Sequence, residues 1–359
     1  MTAYLPLWFA DRGLSAAEIG QVLGVASLLR VMAVPGWGWL SDALGRQRLM
    51  LFAAAAAASC CAATLPAAQG VLPLMAIVAA QGVAASALAP LADAATLALA
   101  AARRLDYGRT RAWGSVAYMA ATAGAGALLG RTGSWVVPWL LAAGYGIAAG
   151  FATALPAVVP TGPATGTRER PLRARAFRLA LLATALIQGS HAAYYAFASL
   201  HWRAVGISDA VIGLLIAEGI VAEVALFLWG RALVERLGPA RLTGFAAACC
   251  LVRWTATAFI VNVPALALIQ LLHAATFAVQ HLSAMLVLRA LPARGAALAQ
   301  TLLAALGFSA PTGLLIWLSG RIYGEAGGLV FLVMAAVGGA ALPVARAMAR
   351  PQPGLIRTS

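Results

Sequence analysis

The amino-acid sequence predicts an all-α polytopic membrane protein, and three observations support this fold class. Hydrophobic residues make up 62% of the 359 residues and charged residues only 10%, and the mean hydropathy is +0.88. A water-soluble domain has no core large enough to bury so much apolar surface. The third observation is a series of apolar runs of about 20 residues, the length of a membrane-crossing helix. Helices satisfy their own backbone hydrogen bonds in lipid.

The apolar runs comprise a short opening segment, span 1, followed by eleven full spans that we number 2 to 12. Span 1 has ten residues before Asp11, and at about 1.5 Å per residue it covers only about half of a bilayer core. No signal peptide is predicted, because the segment lacks a basic start and a small-residue cleavage site. Spans 2 to 12 are predicted at residues 16–40, 49–67, 72–96, 112–130, 135–155, 177–200, 209–230, 242–262, 264–288, 297–319 and 327–346.

The distribution of basic residues predicts the orientation in the membrane. All 25 basic residues are arginine. If the loop after span 2 is cytoplasmic, nineteen arginines fall on that side and four on the other. Positive charge accumulates on the cytoplasmic side of membrane proteins, so the linker between spans 6 and 7 and the C-terminus are predicted to be cytoplasmic in a bacterial plasma (inner) membrane. The net charge of +14 therefore does not indicate a nucleic-acid partner.

An internal repeat predicts two six-helix halves. The stretch "GLSAAEIG" at 13–20 returns as "GISDAVIG" at 206–213, with five of eight positions identical at an offset of 193. The predicted organisation is an N-terminal half at 1–156, a cytoplasmic linker at 157–176, a C-terminal half at 177–348 and a cytoplasmic tail at 349–359. The linker is rich in Pro, Gly, Thr and Arg, a composition typical of a loop. The counterpart of span 7 would start before residue 1, so helix 1 is expected to be present only as its C-terminal part. Either an upstream start or a truncated chain would explain that expectation.

Several motifs resemble a known family of membrane proteins. Gly38, Asp42, Gly45 and Arg46 in "GWLSDALGRQR" (38–48) are similar to the loop between helices 2 and 3 of the major facilitator superfamily, although Ala43 stands where that loop often has a basic residue. Longer motifs look like the phenylpropionate permease branch, which is related to the lactose permease and nucleoside symporters. They are "LDYGRTRAWGSVAY" (105–118), "QGSHAAYYAFASLHWRAVGIS" (188–208), "VAEV" (221–224), "VRW" (252–254) and "LLHAATFAVQHLSAM" (271–285).

The resemblance implies a major facilitator fold and a secondary active transporter rather than an enzyme. It implies alternating-access import of a small aromatic carboxylic acid together with protons. The energy source would be the proton gradient, without a cofactor, and the protein would act as a monomer in the lipid bilayer. Two alternatives stay open. The first is a transporter of a neutral solute, such as a sugar or nucleoside, or an exporter. The second is a non-transporting membrane sensor or an inactive truncated paralogue.

Polar residues inside the spans indicate where a substrate and a proton would bind. A charged side chain at mid-membrane costs about 2.5–3.5 kcal/mol on insertion scales, so it faces protein or a water-filled cavity. Polar residues recur on one face of span 7 and of span 10, which predicts cavity lining or hydrogen bonds to neighbouring helices. The substrate-binding candidates are Arg30, Gln188, His191, Tyr194, Tyr195, His273 and Gln280.

The candidates divide into roles by their chemistry. An organic acid needs an arginine for its carboxylate, aromatic walls for its ring and a titratable group for the proton. The proton-coupling candidates are Glu218, Glu223 and His281. Arg30 is preferred over Arg253 because span 9 would be peripheral in this superfamily. An ion pair between Arg30 and Glu223 across the two halves is one hypothesis, and separate pairs within the fold are the alternative.

The remaining candidates concern gating and metals. The gating candidates lie near the predicted cytoplasmic ends of the spans and are Asp42, Gly45, Arg46, Asp93, Arg109 and Arg111. For Asp93, simple solvation of a helix end is the alternative. No metal site is predicted, because no cysteines and carboxylates accompany the histidines at usable spacing.

Overall fold

The computed structural model describes residues 2–101, 107–155, 171–291 and 293–350, and the regular structure in these ranges is entirely helical. Helices occupy every predicted span. Spans 1 to 6 are Thr2–Tyr4 with Leu5–Asp11, Ala16–Leu44, Gln47–Thr64, Val71–Ala85 with Leu88–Ala101, Tyr107–Thr132, and Val137–Ala154. Spans 7 to 12 are Arg175–Gly189 with Ala192–Ala204, Asp209–Trp229, Arg231–Phe259, Val263–His273 with Val279–Arg289, Ala293–Leu302 with Ala310–Ala326, and Val330–Gly339 with Ala341–Ala349.

Eight helical segments in the described ranges are long and apolar enough to cross a membrane. They account for nine of the predicted spans, because the segment Leu298–Ala349 covers both span 11 and span 12. Span 7 is divided into two helices at Ser190 and His191. Span 5 is a single helix, Tyr107–Thr132, that carries arginines near both ends. The predicted all-α polytopic class is confirmed, while residues 156–170 of the linker region and 351–359 of the tail lie outside the described ranges.

The two copies of the sequence repeat start their helices in the same way and carry a glycine of positive φ at equivalent later positions. Ser15 caps span 2 by accepting the N–H of Glu18 at 3.3 Å, and the Glu18 carboxylate accepts the N–H of Ser15 at 2.8 Å. Ser208, 193 residues later, caps span 8 in the same position. Span 2 ends at Gly45 with φ +59°, and the equivalent Gly238 has φ +72°. Both positions have a positive φ, which glycine accommodates without a Cβ penalty, although ψ is 19° at Gly45 and 168° at Gly238.

The N- and C-terminal halves meet through glycines in spans 2 and 11 and in spans 5 and 8. A Cβ on Gly20 of span 2 would lie 2.8 Å from the Cα of Gly320 in span 11. In the other pair, a Cβ on Gly126 would lie 3.2 Å from the Cα of Gly213. The backbones therefore approach closely, which is how small residues allow membrane helices to pack.

Polar contacts between the halves lie at the end of the bundle opposite the linker, which we call the closed end. Arg203 bridges Asp11 of span 1 at 3.1 Å and Asp209 of span 8 at 2.7 Å. Ser199 donates to the carbonyl of Ala3 at 2.7 Å.

Toward the linker end, span 2 leaves large side chains exposed. Met32 and Trp39 of span 2 are 78% and 71% exposed, and nothing lies within 4 Å of a Cβ built on Gly36. In the described residues, the polar contacts between the halves thus lie at the closed end, and span 2 is exposed toward the linker end.

Candidate functional site

The centre of the C-terminal half contains a buried arginine, Arg253 of span 9. Its side chain has no solvent exposure. Nη1 donates to Oγ1 of Thr276 at 2.8 Å and to Nδ1 of His273 at 3.2 Å, and Nη2 donates to Oε1 of Gln270 at 3.2 Å. These three acceptors are uncharged groups of span 10. Span 9 therefore places a permanent positive charge against the centre of span 10.

Two aromatic rings stabilise this buried charge further. The guanidinium carbon of Arg253 lies 4.8 Å from the ring centroid of Tyr194 and 4.3 Å from that of Trp254. Cations are attracted to the faces of such rings, most strongly where water is excluded. Trp254 is itself held by a hydrogen bond from Nε1 to Oγ of Ser190 at 2.9 Å, so spans 7 and 9 each contribute one ring to the surroundings of the guanidinium.

The contacts of His273 determine where its proton lies. Arginine only donates hydrogen bonds, so Nδ1 of His273 accepts from Arg253 through its lone pair. The neutral ring then carries its hydrogen on Nε2, which lies 3.4 Å from Oε2 of Glu223 in span 8. The result is a continuous chain from Arg253 through His273 to Glu223, which we call the charge chain.

His191 lies at the break in span 7 and is oriented by two hydrogen bonds. Nδ1 is 3.0 Å from the carbonyl of Ile187, so this nitrogen donates, and Nε2 is 3.1 Å from Oγ1 of Thr276. The ring stacks on Tyr195 with centroids 5.8 Å apart. Tyr195 is 38% exposed, whereas Tyr194 is 8% exposed. Tyr195 is therefore the tyrosine of this pair that is accessible to a ligand.

The two predicted glutamines connect spans 7 and 10. Gln188 donates from Nε2 to the carbonyl of Phe277 at 3.1 Å. Gln280 donates from Nε2 to Oγ1 of Thr184 at 3.0 Å. Both amides are buried, so in this conformation they hold the two helices together.

Arg30 of span 2 is an exposed cation within a span of the N-terminal half. Nη2 donates to Oγ of Ser27 at 3.0 Å, and the side-chain carbons lie beside Gly82 of span 4. Glu223 contacts Nε2 of the neutral His273 at 3.4 Å in this conformation. The hypothesis that Arg30 and Glu223 pair with each other stays a prediction for another conformation of the protein.

The other proton-coupling candidates lie along spans 8 and 10. Glu218 is half-buried, five residues before Glu223. His281 is also half-buried, and its ring centroid lies 5.9 Å from that of Phe308 and 6.2 Å from that of Phe227. His281 therefore faces aromatic rings of spans 8 and 11.

The gating candidates lie at the linker end. Gly45 ends span 2, and the exposed Arg46 follows it. Gln47 donates to the carbonyl of Leu91 at 2.8 Å, which brings this turn close to the half-buried Asp93 in span 4. The side chains of Asp42, Arg109 and Arg111 lie outside the described part of the structure.

Comparison with known proteins identifies the family. The sequence profile of the MFS_1 like family matches residues 1–333. The chain belongs to this family. It is 32% identical over 261 residues to the "Probable 3-phenylpropionic acid transporter" of Escherichia coli (strain K12), covering 70% of this chain and 68% of that protein. It is 27% identical over 248 residues to the "Maltose permease" of Geobacillus stearothermophilus, covering 68% of this chain and 63% of that protein.

Solved structures confirm the fold of this MFS_1 like protein. The nucleoside transporter NupG superposes with a TM-score of 0.82 at 16% identity, covering 98% of this chain and 95% of that chain. A bacterial homologue of the human lysosomal transporter Spinster, in an inward-facing and unoccupied conformation, gives a TM-score of 0.70 at 14% identity, covering 97% and 91%. The predicted major facilitator fold is confirmed. The protein is a secondary transporter and not an enzyme.

The site of this MFS_1 like protein includes residues that the sequence analysis did not place among the binding candidates. Arg253 ranks below Arg30 in the sequence-based prediction because span 9 is expected to be peripheral, although an arginine inside an apolar span is itself a signal. Thr276 follows His273 by three residues and so lies on the same helical face. No pattern in the sequence indicated the rings of Phe277 and Phe308, which lie on irregular turns of spans 10 and 11.

Proposed function

We propose that this protein transports a small aromatic carboxylic acid together with protons by alternating access. The observation that carries the proposal is the charge chain, which joins a buried cation on span 9 to a carboxylate on span 8. A second cation, Arg30, is exposed on the other half of the molecule. Similarity to the "Probable 3-phenylpropionic acid transporter" supports an aromatic acid as the cargo.

Arg30 is the group proposed to bind the substrate carboxylate. A guanidinium fits a carboxylate through two parallel hydrogen bonds. In this conformation Ser27 accepts a hydrogen bond from one nitrogen of Arg30, Nη2. The exposed ring of Tyr195 provides an apolar surface on the opposite half. A substrate held between them would contact both halves and so respond to their relative movement.

Glu223 is the group proposed to carry the proton. When it is ionised, Glu223 compensates the charge of Arg253 through the neutral ring of His273. When it is protonated, that compensation is lost and the positive charge of Arg253 favours another anion nearby. A substrate carboxylate bound at Arg30 and an ionised Glu223 are like charges in the same proposed transport site, so protonation of Glu223 favours substrate binding. Cotransport of acid and proton follows from this dependence.

His273 is proposed to position the carboxylate rather than to carry the proton. A proton added to Nδ1 would point at the guanidinium of Arg253, which donates to that same nitrogen. Repulsion between the two cations opposes this state. The exposed Arg30, the accessible Tyr195 and the ionisable Glu223 then form one functional unit, in a monomer that uses no cofactor.

The proposed orientation follows the arginine distribution. With the arginine-rich linker end in the cytoplasm of a bacterial cell, the structure is open to the inside and closed to the outside. In the alternative conformation, the bridge between Arg203 and Asp11 would separate and the linker ends of the halves would meet. Rocking of two repeats around a central site is a common transport mechanism for such folds.

The test is uptake of radiolabelled 3-phenylpropionate into proteoliposomes with and without an imposed inward proton gradient. We expect the gradient to drive accumulation above equilibrium and Arg30→Ala to weaken uptake. Glu325→Gln, a change at an exposed carboxylate near the end of span 11, is the matched control and should behave as the unmodified protein. Accumulation that ignores the proton gradient would refute proton coupling.

A neutral solute is the second candidate, favoured by the similarity to the maltose permease. Unlabelled sugars and nucleosides are therefore included as competitors in the same uptake assay. Competition by these solutes, with no competition by aryl acids, would replace the first proposal with the second.

A further inference from the structure

Two turns of the described helices are π-helical rather than α-helical. They are Ala274–Ala278 in span 10 and Leu303–Ser309 in span 11. A π-helical turn carries one extra residue, is rare, and occurs frequently at functional sites. The segment in span 11 includes Gly307, where an added Cβ would lie 3.2 Å from Cγ2 of Thr184 in span 7. The wide turn thus packs closely against span 7.

Each π-helical turn carries one phenylalanine, and the two rings contact each other. The centroids of Phe277 and Phe308 lie 6.3 Å apart with an interplanar angle of 69°. Such an edge-to-face pair is a favourable arrangement for aromatic rings. Both side chains are only half-buried, so part of each ring remains free to contact another molecule. We call these two residues the aromatic wall.

The aromatic wall adjoins the charge chain. The ring of Phe277 stacks on His273 with centroids 5.3 Å apart and an interplanar angle of 14°, and it meets His191 edge-on at 6.1 Å. Phe308 contacts His281 on its other side at 5.9 Å. His273 thus contacts both the ring of Phe277 and the carboxylate of Glu223, the group proposed to carry the proton. Simple core packing would not require half-exposed rings on two irregular turns beside buried polar groups.

We propose that Phe277 and Phe308 bind the ring of the substrate and select aromatic over saturated rings. This inference rests on the proposed transport of an aryl acid and specifies which side chains recognise its ring. A flat ring can stack on one phenylalanine and meet the other edge-on, whereas a puckered saturated ring of similar size cannot. The expected preference for the flat ring is about threefold to tenfold in affinity.

The test compares 3-phenylpropionate with 3-cyclohexylpropionate, which has the same carboxylate and chain but a saturated ring. Dissociation constants are measured by calorimetry on the purified full-length protein. We expect the unmodified protein to prefer the aromatic acid and Phe308→Met or Phe277→Met to bring the ratio close to one. Phe308→Tyr, which keeps a ring, should retain the preference. Phe151→Leu, at a 72% exposed ring of span 6, should also retain it.

An unchanged ratio in both methionine variants, or no preference in the unmodified protein, would overturn the aromatic wall. Size-exclusion chromatography checks that each variant is folded, and methionine is a flexible apolar side chain that fills irregular gaps. If neither acid binds to the unmodified protein, the proposed function is wrong. The same comparison is then made with 3-phenylpropanol and 3-cyclohexylpropanol, so that the aromatic wall is tested separately from the charge of the cargo.

Discussion

Substitution of Gly20 by alanine is predicted to destabilise the closed end of the molecule. The new Cβ would lie 2.8 Å from the Cα of Gly320, 3.0 Å from the carbonyl oxygen of Ile316 and 3.1 Å from the amide nitrogen of Gly320. All three are backbone atoms, so no side-chain rotation relieves the overlap. Spans 2 and 11 have to move apart at this point.

The expected size of the effect follows from overpacking. Overpacking of a well-packed site costs about 1–3 kcal/mol, which corresponds to about a 5- to 150-fold change in the ratio of two conformations. The conformation that separates these helices does not bear this cost. Gly36→Ala is the matched control, because Gly36 lies in the same helix and nothing lies within 4 Å of its added Cβ. The gain in helix propensity is the same for both changes.

The assay measures the distance across the closed end by electron paramagnetic resonance. Spin labels are attached at Arg131→Cys and Glu325→Cys, two exposed positions on opposite halves. The four native cysteines are replaced by alanine in this background. Gly20→Ala should shift the distance distribution to longer values, and Gly36→Ala should not. Equal distributions for the two variants would refute the assignment of this contact as the closed interface.

Three further predictions concern single side chains. Arg203→Gln removes the bridges to Asp11 and Asp209. Because such partly exposed pairs contribute only about 0.2–1 kcal/mol, the same spin labels should report a change of about 1.5- to 5-fold in the ratio of the two conformations. An unchanged ratio would contradict a role of Arg203 in closing this end. Arg253→Lys replaces a guanidinium that makes three hydrogen bonds by one ammonium group. Because each lost buried hydrogen bond costs about 1–3 kcal/mol, the melting temperature should fall and proton-driven uptake should be abolished. Normal uptake would exclude the charge chain from coupling. Gly45→Ala places a residue with a Cβ at φ +59°, which costs about 1–2 kcal/mol. The melting temperature should therefore be lower than that of Gly36→Ala. Equal melting temperatures would contradict the left-handed cap.

The sequence predicted the helices and their repeat well, because both depend on local patterns. Apolar runs fix where a helix crosses the membrane, and the offset of 193 correctly related the caps at Ser15 and Ser208. Gly45 and Gly238, related by the same offset, both have a positive φ. Such features need only the residues of one segment and the solvent around it.

The site was harder to predict, because it depends on how the helices rotate and pack. The repeat placed Arg30 and Glu223 at similar depth, but depth does not determine the partner, and each has another contact here. Burial of Arg253 results from the rotation of span 9 toward span 10. The π-helical turn that carries Phe277 is likewise set by packing between helices and has no local signature.

The proposed role of the charge chain depends most directly on whether Glu223 couples protons to transport. Glu223→Gln keeps the size of the side chain and removes its charge. We predict that this variant still exchanges internal for external 3-phenylpropionate across the vesicle membrane, because the neutral amide mimics the protonated carboxyl group that favours binding. It should fail to accumulate the acid when an inward proton gradient is imposed. Accumulation by Glu223→Gln equal to that of the unmodified protein would contradict the proposed role of the charge chain.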